Sequence, residues 1–201
     1  MIKTVIFDFF DVLTFGEAGW DYVAEELERA SGVPKEMILK QLYSEETKYI
    51  LGQENTLEFW KNVCGKLNIE ISIEEFSNIL GSYELNPEIL SVLRDLKNTH
   101  QLILLSDNTP IASEIIKNDG RISSLFDKMF FSNEAGLTKR NKSRKFYEYA
   151  LTELHRKPDE CIFVDDREDN IEAAREAGLR TILYRNAAQL KQELGVNLKM
   201  N

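Results

Sequence analysis

Two cysteines and two histidines in 201 residues leave most metal and nucleophile chemistry without its usual side chains. Cys64 and Cys161 cannot build a disulfide framework, and neither stands at metal-ligand spacing. His100 in a turn and His155 near a helix end read as surface residues, which argues against a histidine-rich metal site and a Ser-His-Asp triad. Basic residues are outnumbered, 25 Lys and Arg against 34 Asp and Glu, and the net charge of −9 argues against binding nucleic-acid backbones. No apolar run approaches membrane-spanning length and no signal-peptide pattern opens the chain, so a soluble cytoplasmic protein is expected. Internal repeats, low-complexity tracts and long linkers are also missing.

What is present suffices for one good core plus a small accessory domain, since 43% of the residues are hydrophobic. The stretch VIFDFFDVLT (residues 5–14) opens with an apolar run, Val5, Ile6 and Phe7, that ends abruptly at Asp8. Such a run suits the central strand of a parallel sheet, with Asp8 at the edge where ligands bind. From about Glu17 to Asn98 the chain then reads as helical and uninterrupted by strands. Trp20, Val23, Ala24, Leu27 and Ala30 share one helical face ending at Ser31-Gly32, and Pro34 opens the next helix. Asn55-Thr56 precedes a third, in which Cys64 is core filler. Ser72 with Glu75 forms a plausible capping box for a fourth, and Asn86-Pro87 begins a fifth.

Strand–helix alternation returns at Gln101. Apolar runs at 102–105, 128–131, 161–164 and 181–184 read as strands, with helices after Pro110, after the basic loop TKRNKSRK, and at 171–177 before Gly178. The expected fold is α/β: a doubly wound parallel sheet from residues 1–15 and 99–201, with a helical bundle, residues 16–98, inserted after the first strand.

Four strand ends then bring polar groups to one edge: Asp8, Ser106, the loop from Gly136 to Lys142, and Asp165-Asp166. Clustered carboxylates repel unless a divalent cation sits among them, and an all-oxygen site suits Mg²⁺. Ser106 and the amides opening its helix are suited to phosphate oxygens, and Lys139 or Lys142 to the remaining negative charge. A carboxylate nucleophile offset by metal and lysine makes a self-consistent phosphoryl-transfer site.

These segments resemble the haloacid dehalogenase-like hydrolase superfamily, in the branch whose helical cap follows the first strand. The likeness covers nearly the whole chain: IFDFFDVL, LILLSDNT, Gly136 with its lysine, and FVDDREDNIEAAREAG stand for the four motifs. It implies Asp8 as a nucleophile that becomes an aspartyl phosphate, and Ser106 with the Asp107 amide as the phosphate grip. It also implies Asp8, the main-chain carbonyl of Phe10 and Asp166 as metal ligands, with Asp165 as a further ligand or an orienter.

Two departures stand out. Phosphatases of the superfamily usually carry a second Asp two residues after the nucleophile, and here that residue is Phe10, which cannot donate or take a proton. Asp11 beside it reads as a turn residue. In the lysine loop, counting on from Gly136 selects Lys139, while counting back from the helix lands nearer Lys142, as if about two residues were inserted; Lys139 keeps the spacing from the strand. The resemblance implies a magnesium-dependent phosphatase of a small phosphorylated metabolite. A metal-free haloacid dehalogenase, echoed by the aromatic Phe10, and a silent binding protein are the alternatives. Trp20, Tyr22 and Tyr49 either face the cleft or fill the core, residues 186–201 read as a docking helix with a loose tail, and the oligomeric state is left open.

Overall fold

The computed structural model describes residues 1–15 and 19–199. The expected helix start near Glu17 and the last two residues of the tail lie outside the described residues.

In chain order the elements begin with β1 (Thr4–Phe7), β2 (Thr14–Phe15), α1 (Trp20–Ser31), α2 (Lys35–Ile50), α3 (Thr56–Leu67), α4 (Ile73–Gly81), β3 (Glu84–Leu85) and α5 (Pro87–Lys97). They continue with β4 (Gln101–Ser106), α6 (Pro110–Asn118), α7 (Gly120–Ser123), β5 (Lys128–Phe131), α8 (Ser132–Ala135) and α9 (Lys145–Leu154). After a 3₁₀ turn come β6 (Cys161–Asp165), α10 (Glu168–Glu176), β7 (Arg180–Leu183) and α11 (Ala187–Lys199).

Five strands form one parallel sheet in the order β5-β4-β1-β6-β7. The central β1 lies between β4 and β6, with Phe7 opposite Leu104 on one side and Val164 on the other. The sheet is covered on both faces. Val5, Phe7, Leu102, Leu104, Ile162 and Val164 point to the face covered by α5 and α11. Ile6, Ile103, Leu105, Cys161 and Phe163 point to the face covered by α9 and α10. This two-residue alternation, apolar on both sides, is why the strands read as continuous hydrophobic runs. Each fully buried Phe or Leu contributes about 1.5–3 kcal/mol, so the strand ends stand on rigid ground.

The four helices α1–α4 bury a separate cluster built largely from aromatic rings. Trp20 stacks on Phe59 at 5.8 Å, and Trp60 on Phe76 at 4.1 Å. Local signals set the helix ends. Asn55 accepts from the Glu58 amide, Ser72 and Glu75 form the reciprocal capping box, and Gly32 ends α1 in the left-handed conformation with φ 73°.

Two features differ from the sequence expectation. The stretch read as wholly helical is interrupted by β3, which pairs antiparallel with β2 (Thr14 opposite Leu85) where the chain enters and leaves the helical unit. Strands this short carry no periodicity to detect. The helix α5, read with the insertion, packs through Ile89, Leu93 and Leu96 into the sheet's own core. Among the described residues no helix is long and apolar enough to cross a membrane.

Candidate active site

The carboxyl ends of β1, β4 and β6 open on a cavity of about 600 Å³, roofed by α2 and the start of α1. Asp8 follows β1 directly, and its amide donates to the Val164 carbonyl at 3.0 Å, which ties it to the sheet. Just beyond it the backbone turns: Asp11 adopts φ 60° and donates its amide to Thr14 Oγ1 at 3.1 Å.

Lys139 reaches in from the loop after α8 and is 2% exposed. Its Nζ lies 2.8 Å from Asp8 Oδ1 and 2.8 Å from Asp165 Oδ2. Its amide donates to both oxygens of Asp107 at 3.0 and 3.2 Å, so main chain and side chain are both held. Asp165, fully buried, also accepts from the Arg167 amide at 2.9 Å and from Asn170 Nδ2 at 3.0 Å to each oxygen. Asp166, beside it, completes a group in which Asp8, Asp165 and Asp166 each offer an oxygen within 4.8 Å of the others.

The charge on these groups is expensive. Burial pushes the Asp8 carboxyl up to about 7, against the pull of the Lys139 ammonium. Burial, then the neighbouring carboxylates of Asp165 and Asp11, lifts Asp166 to about 6. Burial also raises Asp107. For Lys139 burial works against the charge, but Asp165, Asp8 and Asp107 outweigh it and hold the ammonium above its ordinary range.

Ser106 closes β4, buried at the cavity wall, and its Oγ accepts from Asn108 Nδ2 at 3.1 Å. Asp107, Asn108 and Thr109 lead into α6 along the same wall. Lys142 lies elsewhere: it is exposed and pairs with Glu172 at 2.6 Å. Asn141 and Lys142 both take left-handed backbone, with φ 57° and 54°, a turn after which Asn141 still lines the cavity while Lys142 does not. Phe10 lines the cavity, its half-buried ring set edge-on to Phe9 at 5.0 Å.

Sequence reasoning did not single out Glu46, Arg140 or Asn170. Glu46 on α2 is 4% exposed. Arg140 Nη1 and Nη2 donate to its Oε1 and Oε2 at 2.5 and 3.0 Å, and Trp20 Nε1 donates to Oε2 at 2.6 Å. Nothing in a run such as SEETK marks one glutamate as the buried one. Asn170 was visible only as a position in the fourth motif. Trp20 lines the cavity while stacking in the aromatic cluster, whereas Tyr49 is fully buried and donates to Thr56. Tyr22 lines a second, smaller cavity instead.

A family model described as haloacid dehalogenase-like hydrolase matches residues 2–178. A D-ribitol-5-phosphate phosphatase of Bacteroides thetaiotaomicron is 26% identical over 218 aligned positions, spanning 98% of this chain and 99% of that protein. Among solved structures, a HAD-like family hydrolase from Porphyromonas gingivalis superposes with a TM-score of 0.81 at 20% identity, covering 100% of both chains. A HAD family enzyme of B. thetaiotaomicron, solved with magnesium and inorganic phosphate, superposes with a TM-score of 0.79 at 19% identity, covering 92% of this chain and 95% of the other.

Proposed function

The chain belongs to the haloacid dehalogenase-like hydrolases, and we propose that it is a magnesium-dependent phosphatase of a small phosphorylated metabolite, acting through an aspartyl phosphate on Asp8. One observation carries this reading: three carboxylates converge within 4.8 Å around a single lysine ammonium. The carboxylates outnumber the ammonium, and a divalent cation would offset the excess negative charge. The donors are all oxygen and fit Mg²⁺, which Asp8, Asp166 and, as the family resemblance implies, the main-chain carbonyl of Phe10 would hold. Asp165 has its oxygens engaged by Lys139, Asn170 and the Arg167 amide, so it serves to orient Lys139. When bound, the cation would offset charge on the phosphoryl oxygens.

Lys139 holds Asp8 Oδ1, leaving the other oxygen to attack phosphorus. As the new O–P bond forms, the bond to the leaving oxygen breaks. Lys139 and the Ser106 hydroxyl bind the phosphoryl oxygens while this happens. The departing alkoxide takes its proton from water, because Phe10 has none to give. A second water then attacks the phosphorus, freeing inorganic phosphate and restoring Asp8. Carbon–halogen hydrolysis needs no cation, and a surplus of negative charge would repel a haloacid's carboxylate. Helices α1–α4 act as the cap over this site, while α5 belongs to the sheet domain. The two free cysteines support a reducing, cytoplasmic setting.

Hydrolysis of an activated aryl phosphate, with and without Mg²⁺ and with Asp8→Asn as the blank, tests the reading. Activity should require both the metal and Asp8, with Asp8→Asn lowering kcat by more than about 10³-fold. Metal-independent halide release by the wild type, or turnover that survives Asp8→Asn, would overturn it.

A further inference from the structure

Arg140 stands next to Lys139 in the chain and lines the same cavity, but its charge is already met. Glu46, almost wholly buried on the roof, takes the guanidinium with both oxygens, and Trp20 braces the same carboxylate from behind. A bidentate clamp of this kind fixes the plane of the guanidinium as well as its position. Arg has five N–H groups, and Glu46 takes two of them. Among the described residues the other three have no hydrogen-bond partner. Arg140 therefore offers the cavity rigid N–H donors with no net charge behind them.

Those two properties select in different directions. The free N–H groups suit any acceptor oxygen. A second anion placed there would gain the same hydrogen bonds but would lie beside the Glu46 carboxylate, with Asp107 as the next acidic neighbour of Arg140. An uncharged hydroxyl meets no such repulsion.

We propose that the Glu46–Arg140 pair is the specificity element for the leaving group, accepting phosphate esters of uncharged, hydroxyl-bearing molecules and rejecting those that carry a second anionic group. Arg140 is the contacting residue and Glu46 positions and neutralises it. This rests on the phosphatase reading. Arg167, the other guanidinium on the wall, is exposed to solvent as Arg140 is, but among the described residues it makes no ion pair that would fix its plane at the cavity.

The test compares a five-carbon polyol phosphate with its aldonate counterpart, which differs only in bearing COO⁻ for CH₂OH at the far end. Wild type should favour the polyol. Glu46→Gln keeps the size and an acceptor for Trp20 but frees the charge on Arg140, and should shift the kcat/KM ratio toward the aldonate by about tenfold or more. Arg140→Gln should shift it the other way, because Glu46 is then left uncompensated, and should raise KM for the polyol more than it lowers kcat. An unchanged ratio in both variants, or equal loss on both substrates, would make the pair a structural brace and overturn the proposal. A ratio that responds to Arg167→Gln and not to Glu46→Gln would do the same. Wild type inactive on every phosphate ester would instead count against the phosphatase reading, so the two failures are distinguishable.

Discussion

Lys139 and Arg140 are neighbours in one loop, yet the first pairs with two buried carboxylates, Asp8 and Asp165, on the sheet side of the cavity, its amide held by the half-buried Asp107, and the second with a single glutamate on the helical side. The sheet side carries uncompensated charge and is held from every direction: β1, β4 and β6 fix the carboxylates, and Asn170 and two backbone amides fix their rotamers. The helical side is charge-balanced and rests on packed rings. The difference teaches where each task lies. A site that does chemistry on a phosphoryl group gains from a field left open for a cation and an anion, whereas one that chooses leaving groups gains from donors already neutralised.

The harshest way to break this contrast is to remove the buried ammonium on the sheet side. Lys139→Met leaves Asp8, Asp165 and Asp107 without their ammonium, and uncompensated buried charge costs about 3–5 kcal/mol. Thermal unfolding of the metal-free variant should fall by roughly 10 °C, with added Mg²⁺ recovering part of the loss. A Tm within a degree or two of wild type would mean the carboxylates are not ionised together.

On the helical side the most sensitive point is Gly52, just past α2. A Cβ there would sit 2.0 Å from the Asn133 carbonyl oxygen, and its φ of 68° suits only glycine well. Gly52→Ala should destabilise by about 2 kcal/mol or more and loosen the end of α2 from the sheet domain. Amide exchange across α2 would read that loosening, and exchange raised in β1 rather than α2 would contradict it.

The smallest effect comes from the charge on Asp8. Asp8 is raised by burial to about 7 from 3.8, so the folded state binds its proton more tightly than the unfolded one. Its contribution to stability therefore falls as pH rises from about 4 to about 7, and the full cost is present above that. In metal-free protein, Asp8→Asn should raise stability by about 1–2 kcal/mol at pH 8 and by little at pH 4. A gain of the same size at both pH values would show that the carboxylate's charge is not what burdens the fold.

Much of this was legible in the residues. The strands of the sheet announced themselves because both faces are buried, and the helices because caps such as Asn55, Ser72 and Gly32 act through nearest neighbours. The turn at Asp11 was legible for the same local reason. The placing of α5 was not: an amphipathic helix shows that it has an apolar face but not which core receives it. Lys139 could be preferred over Lys142 by spacing alone, and the left-handed pair at Asn141 and Lys142 supplies the physical reason the count from the helix misleads. Glu46 and Arg140 were hidden because their meeting spans 94 residues and two separately packed units, and no local pattern encodes such a distance.

The antiparallel pairing of Thr14 with Leu85 and Phe15 with Glu84 sets the two crossings of the chain side by side, one strand spacing or about 5 Å apart. A segment whose ends lie that close can be exchanged for another of different length or architecture while the sheet keeps its register. The reactive groups all sit outside it, on strand ends and their loops. Recombination at this pair of short strands would therefore carry one phosphoryl chemistry to new substrates in a single event, with Arg140 waiting on the sheet side of the joint for whatever partner the incoming segment supplies.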